Sequence, residues 1–143
     1  MTETNSSSEP AAHAVLDHVA LVVTDVEQAS DFYCAVLGLD VQETVRLTDH
    51  TIRYLSSGTQ VRMELIAFDD GQSPGPLSDG KEIAQRHMAW KVEDLEAALA
   101  LVKQFGGSVH AGPTWVPELG FTSGLIRDPV GIESELLEYP SSS

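Results

Sequence analysis

The sequence predicts an α+β domain made of two tandem βαβββ modules whose strands form a curved, cup-like mixed sheet. The first observation behind this is an internal repeat. LDHVALVVTDVEQAS near the start resembles QRHMAWKVEDLEAAL in the second half at an offset of 69 residues, with His18 on His87, Ala20 on Ala89, Val23 on Val92 and Asp25 on Asp94. The second is that VRMELIAF matches IESELLEY at an offset of 71, which places Glu64 on Glu135. The third is DDGQSPGPLSDGKE between the halves, a stretch rich in Gly, Pro and Asp that reads as a linker.

Each element follows in order. Val15–Val23 alternates and is β-branched, so it reads as a strand. Thr24 or Asp25 caps a helix whose stripe is Val26, Ala29, Phe32, Tyr33, Val36 and Leu37, and Gly38 stops it. Strands are expected near Asp40–Leu47, Thr51–Leu55 and Gln60–Phe68. The second half repeats the pattern. His87–Val92 is a strand, Asp94 caps a helix with Leu95, Ala98, Leu99, Leu101, Val102 and Phe105 on its apolar face, and Gly106–Gly107 end it. Strands near Ser108–Trp115, Phe121–Ile126 and Ile132–Glu138 complete it. The expected division is a polar tail over 1–13 without fixed structure, a first module over 14–70, a linker over 71–83 and a second module over 84–140. Helices are expected to cover one face of each sheet.

Composition narrows the function. The 143 residues carry 8 Lys+Arg against 22 Asp+Glu, a net charge of −14. Nucleic acids and anionic membrane surfaces are recognised by clustered cations, so neither is an expected partner. A lone cysteine, Cys34, excludes an intrachain disulfide framework. The apolar run around Val19–Val23 is too short to span a bilayer, and the start has neither a basic nor an apolar signal region. These features lead to the expectation of a soluble, acidic, cytoplasmic domain.

Strand period two decides which side chains can meet. His18 shares a face with Ala20 and Val22, while Val19, Leu21 and Val23 face the helix. His87 likewise shares a face with Ala89 and Lys91. Glu64 lies with Arg62, Ile66 and Phe68, and Glu135 with Glu133, Leu137 and Tyr139. A lone strand histidine is as a rule a structural residue; a histidine and a glutamate repeated in the same order mark a site. If the halves pack as pseudo-twofold mates, in one chain or across a dimer, His18, Glu64, His87 and Glu135 converge. Two imidazoles and two carboxylates suit a divalent ion such as Zn²⁺, Ni²⁺, Co²⁺, Mn²⁺ or Fe²⁺ and leave positions open for water or substrate.

Between Val15 and Tyr139 the chain resembles the vicinal oxygen chelate superfamily, which includes glyoxalase I, methylmalonyl-CoA epimerase, extradiol dioxygenases and the bleomycin-resistance proteins. The resemblance rests on LDHVALVVTDVEQASDFYCAVLGLDV, RMELI, RHMAWKVEDLEAAL and RDPVGIESELLE. The last is similar to the family's D-P-x-G turn before the strand bearing the metal glutamate, here Glu135. The resemblance implies the glyoxalase/bleomycin-resistance fold and a bound divalent ion that stabilises an enediolate or enolate. It also implies Glu135 as general base, with Glu64 as ligand or second acid/base.

The chain departs from glyoxalase I at three anchors for glutathione. Their positions are Val22, Phe68 and Ile83 here, all apolar. A glutathione adduct is therefore not the expected substrate, and the absence of a basic cluster disfavours an acyl-CoA. Val22, Ile66, Phe68 and Leu137 suggest an apolar pocket, with Lys91 or Arg62 available to an oxyanion. The lead expectation is a metal-dependent lyase, isomerase or epimerase acting on a small substrate next to a carbonyl, as a homodimer. The alternatives are a ligand-sequestering protein of the drug-resistance kind, which would keep its ligand without the four residues, and an iron-dependent ring-cleaving dioxygenase, which would consume oxygen with a catechol.

Overall fold

Aspartates placed just before each apolar helical stripe start the two helices. In a computed structural model that describes residues 15–58, 61–71, 81 and 85–141, β1 (His18–Val22) is followed by Asp25, whose carboxylate accepts from the backbone N–H of Glu27 and Gln28. There α1 (Val26–Leu37) begins, and it stops at Gly38, whose φ of 70° is the left-handed conformation that glycine adopts without strain. The chain continues through β2 (Asp40–Arg46), β3 (His50–Ser56) and β4 (Arg62–Phe68). The second module runs β5 (Met88–Lys91), α2 (Leu95–Gln104), β6 (Ser108–Val116), β7 (Phe121–Arg127) and β8 (Glu133–Glu138). Asp94 caps α2 through Ala97 N–H, and the Glu138 carboxylate accepts from Leu95 N–H at 2.6 Å. The tail over 1–13, Ile83 and most of the linker over 71–83 lie outside the described residues.

The strands form two four-stranded mixed sheets, ordered β1-β4-β3-β2 and β5-β8-β7-β6. In each, the first strand runs parallel to the fourth and the other pairs are antiparallel. This is the βαβββ pattern twice, with the expected elements displaced by only a few residues at their ends. Among the described residues the eight strands form two separate sheets, with β1 and β5 each at an edge.

The apolar stripes of the helices account for the core. Val26, Ala29, Phe32, Tyr33 and Val36 of α1 are buried with Leu95, Ala98, Leu99 and Val102 of α2, against Leu55, Met63, Leu65, Ile126 and Leu136 from the sheets. The two helices touch each other, so one core joins both modules. Phe105, expected on the α2 stripe, is exposed instead; it is the C-cap, past the last turn that packs on the sheet.

A buried polar link crosses the same seam. Tyr33 of α1 donates its hydroxyl to Asp128 at 2.7 Å, and the other Asp128 oxygen accepts from Val130 and Ile132 N–H in the Asp-Pro turn before β8. Burial holds the Asp128 carboxyl above the ordinary carboxylate range, against hydrogen bonds that favour the charged form. An acid whose folded pKa lies above its unfolded pKa binds more protons in the native state. Its contribution is full below the unfolded pKa and is lost as pH rises through the folded one. Urea unfolding from the ordinary carboxylate pKa upward is therefore expected to give a falling midpoint in wild type and a flatter one in Asp128→Asn. Equal slopes would remove Asp128 as the source.

Candidate metal and substrate site

Each sheet has one face under its helix and one face free of it, and the histidines and glutamates lie on the free faces. Leu21 and Val23 are buried on the helix side while Val22 is 59% exposed, as the alternation requires. On β4, Met63 and Leu65 take the helix side, and Arg62, Glu64, Ile66 and Phe68 the open one. On β8, Ser134 and Leu136 are buried, leaving Glu133, Glu135 and Leu137 on the open face.

This brings each histidine to its own glutamate. His18 Nε2 lies 3.4 Å from Glu64 Oε1, and His87 Nε2 lies 3.3 Å from Glu135 Oε1. His87 itself stands one residue before β5. Within one chain the two pairs do not combine: among the described residues, no group of three or more such side chains is placed to hold an ion. The helices pack together on the covered sides, and each open face looks away from its helix.

The surroundings of the pairs favour cation binding. His18 Nδ1 is 2.7 Å from Asp17 Oδ2, and His87 Nδ1 is 3.3 Å from Glu133 Oε1. Each imidazole thus lies between two carboxylates, one on each ring nitrogen, and the tautomer that donates at Nδ1 leaves an acceptor lone pair on Nε2. With the imidazole neutral, Nε2 and the glutamate oxygen are two acceptors that a cation between them would bridge; an imidazolium would instead donate to both carboxylates. Donor atoms bound at roughly 2.1 Å around a tetrahedral or octahedral ion sit about 3.0–3.4 Å apart, and both measured separations fit that spacing. The Asp17 carboxyl is held below its ordinary range by its hydrogen bonds to His18 and Arg62. Glu133, on the open face beside Glu135, thus partners His87 and also Arg86, whose Nε is 3.7 Å away.

Two hydroxyls escaped the sequence reading. Tyr54 donates to Glu64 Oε2 at 3.0 Å, and Ser123 donates to Glu135 Oε2 at 2.6 Å. The hydrogen bond to Glu64 holds the Tyr54 phenol above its ordinary range, so it stays a donor. The two hydroxyls come from different register positions, Tyr54 directly opposite Glu64 and Ser123 opposite Leu137, so no match between the halves reveals them.

Among the predicted pocket residues, Val22, Ile66 and Phe68 share the open face of the first sheet. Phe68 is exposed and its ring lies 5.0 Å from that of His50. Leu137 is partly buried beside Lys91, whose ammonium sits 5.5 Å from the centre of the Tyr139 ring. Arg62 is engaged with Asp17 at 2.9 Å and lies over the Tyr54 ring. A separate groove of about 370 Å³ at the module seam is lined by Val36, Leu37, Trp90 and Leu101; Lys91 alone of the predicted site residues borders it.

The chain matches the profile of the Glyoxalase/Bleomycin resistance protein/Dioxygenase superfamily over residues 15–136. The mitochondrial methylmalonyl-CoA epimerase of Mus musculus is 36% identical over 93 residues, which is 62% of this chain and 52% of that protein. A probable lactoylglutathione lyase of Vibrio cholerae is 27% identical over 130 residues, covering 88% of this chain and 91% of its own. The solved structure of a trypanothione-dependent glyoxalase I from Leishmania major superposes with a TM-score of 0.71 at 22% identity, over 87% of this chain and 86% of that one. That last likeness concerns the fold. The chain spans about half the length of the mouse relative. No helix among the described residues is long and apolar enough to cross a membrane.

Proposed function

Because the chain belongs to the Glyoxalase/Bleomycin resistance protein/Dioxygenase superfamily, we propose that it is a divalent-metal-dependent lyase, isomerase or epimerase that moves a proton next to a carbonyl. The observation that carries this reading is the pair of repeat-matched histidine–glutamate contacts, at 3.4 and 3.3 Å, each with the outer imidazole nitrogen on a second carboxylate. The relatives that are an epimerase and a probable lyase support the reaction class.

His18, Glu64, His87 and Glu135 would hold the ion as two half-shells, one from each sheet. Since the two histidine–glutamate pairs do not combine in one chain, the reading is a homodimer in which the first module of one copy meets the second module of the other. The ion would supply Lewis-acid polarisation of a carbonyl, which acidifies the neighbouring C–H. Glu135 is the proposed base for that proton and Glu64 the proposed ligand or second acid/base. Glu135 is the more accessible of the two, with its side chain 22% exposed against 11% for Glu64. Val22, Ile66, Phe68 and Leu137 would line an apolar pocket, and Lys91 would face an oxyanion. Apolar residues at Val22 and Phe68 argue against a glutathione adduct, because a desolvated carboxylate there would find no partner.

Metal analysis combined with sedimentation tests the reading. The expected result is one divalent ion per chain in a dimer. The epimerase relative reopens the acyl-CoA class that the missing basic cluster disfavoured, so the metal-loaded protein is expected to exchange deuterium from D₂O at the carbon next to the carbonyl of methylmalonyl-CoA faster than it turns over the glutathione–methylglyoxal adduct. A chain that neither contains nor takes up a divalent ion ends the proposal.

A further inference from the structure

Each open face carries a hydroxyl donor beside its histidine and glutamate, from a different register position in each module. By strand register the counterpart of Tyr54 is Leu125, so Ser123 supplies its hydroxyl from the neighbouring open-face position of β7. In both modules the hydroxyl donates to Oε2 of the glutamate while Oε1 faces the imidazole Nε2. The last torsion of a glutamate side chain is broad and nearly two-fold, so by itself it does not aim one oxygen. A donor fixed on Oε2 removes that freedom and leaves Oε1 directed at the histidine.

The two donors reach their acceptors differently. Tyr54 sits directly opposite Glu64 in the β3–β4 register. Its ring is held by the Arg62 guanidinium 4.2 Å from the ring centre and by the edge of His18 at 5.9 Å. Ser123 is opposite Leu137 and reaches Glu135 diagonally across β8. A phenol and a primary alcohol are unlike in size and apolar area, and what they share is the hydroxyl donor aimed at the same carboxylate oxygen.

We propose that Tyr54 and Ser123 are positioning residues that orient the Glu64 and Glu135 carboxylates for a cation shared with His18 and His87. This rests on the metal-dependent reading above. The groups act through the carboxylates, and partners one step removed from a ligand set its affinity by orienting it.

Cobalt titration of the full chain, followed by its visible absorption band, tests the assignment. Tyr54→Phe and Ser123→Ala are each expected to bind Co²⁺ about tenfold to a hundredfold more weakly than wild type, with an altered band. Ser123→Thr, which keeps the hydroxyl, should restore both, and all melting temperatures should stay close to wild type. A purely structural role would shift the melting temperatures and leave the cobalt affinity and band unchanged. That result overturns the positioning role while leaving the metal reading standing. Failure of the wild-type chain to bind Co²⁺ overturns both.

Discussion

His87→Ala is expected to abolish stoichiometric divalent-metal binding while leaving the fold intact. His87 stands just outside β5 on the open face of the second sheet, and its contacts are the Glu133 and Glu135 carboxylates. His87 is not part of the apolar core cluster, so the fold is expected to survive alanine. The substitution would leave one sheet offering a carboxylate alone. Partners one step removed from a ligand are worth about tenfold to a hundredfold in affinity, and a direct ligand more, so a loss beyond about a hundredfold is expected. Equilibrium dialysis against Zn²⁺ or Co²⁺ measures it, and a melt of the same sample checks the fold. By the repeat, His18→Ala should behave alike. An affinity within about threefold of wild type, with the fold preserved, would remove His87 from the ligand set.

The largest expected loss of stability comes from Phe32→Ala. Phe32 is fully buried on α1 and packs edge to face on Tyr33, with ring centres 5.0 Å apart. It also reaches the second module. A Cβ added to Gly107, after α2, would lie 2.6 Å from Phe32 Cε1 and 2.5 Å from the Arg127 carbonyl oxygen, so the ring fills the space that this glycine leaves open. Removing it takes away core burial and opens a void between modules, at a cost of about 3–5 kcal/mol. Domains of this kind are stable by only about 5–15 kcal/mol, so the loss is a large share. Urea unfolding should show a much lower midpoint in a single transition, because the core that links the modules is one cluster. A shift worth less than about 1 kcal/mol would mean that the seam collapses around the missing ring.

Much of the fold was legible because its signals are local. Asp25, Asp94 and Gly38 announce helix ends through backbone hydrogen bonding and φ, which depend on neighbours a few residues away. The alternation in β1, β4 and β8 sorted helix-facing from open-face residues, and the exposures of Leu21, Val22 and Val23 follow it. Phe105 broke the stripe because where a helix stops is settled by the turn beyond it. Tyr54 and Ser123 were not legible for a different reason. They lie on β3 and β7, the strands with no resemblance between the halves, and only strand pairing brings them to Glu64 and Glu135.

The sequence by itself determined the repeat, the element order and which residues share a face, since these follow from backbone periodicity and capping within a short stretch of chain. It also singled out His18, Glu64, His87 and Glu135 as one repeat-matched set, while the β1–β4 and β5–β8 pairings set which histidine lies beside which glutamate. Only the tertiary structure decided whether the four residues meet in one chain. Among the described residues no three of these side chains gather around one point, while the shared apolar core packs α1 and α2 together on the opposite faces of the sheets. That preference comes from burying apolar surface between helices distant in sequence, which no local pattern along the chain encodes.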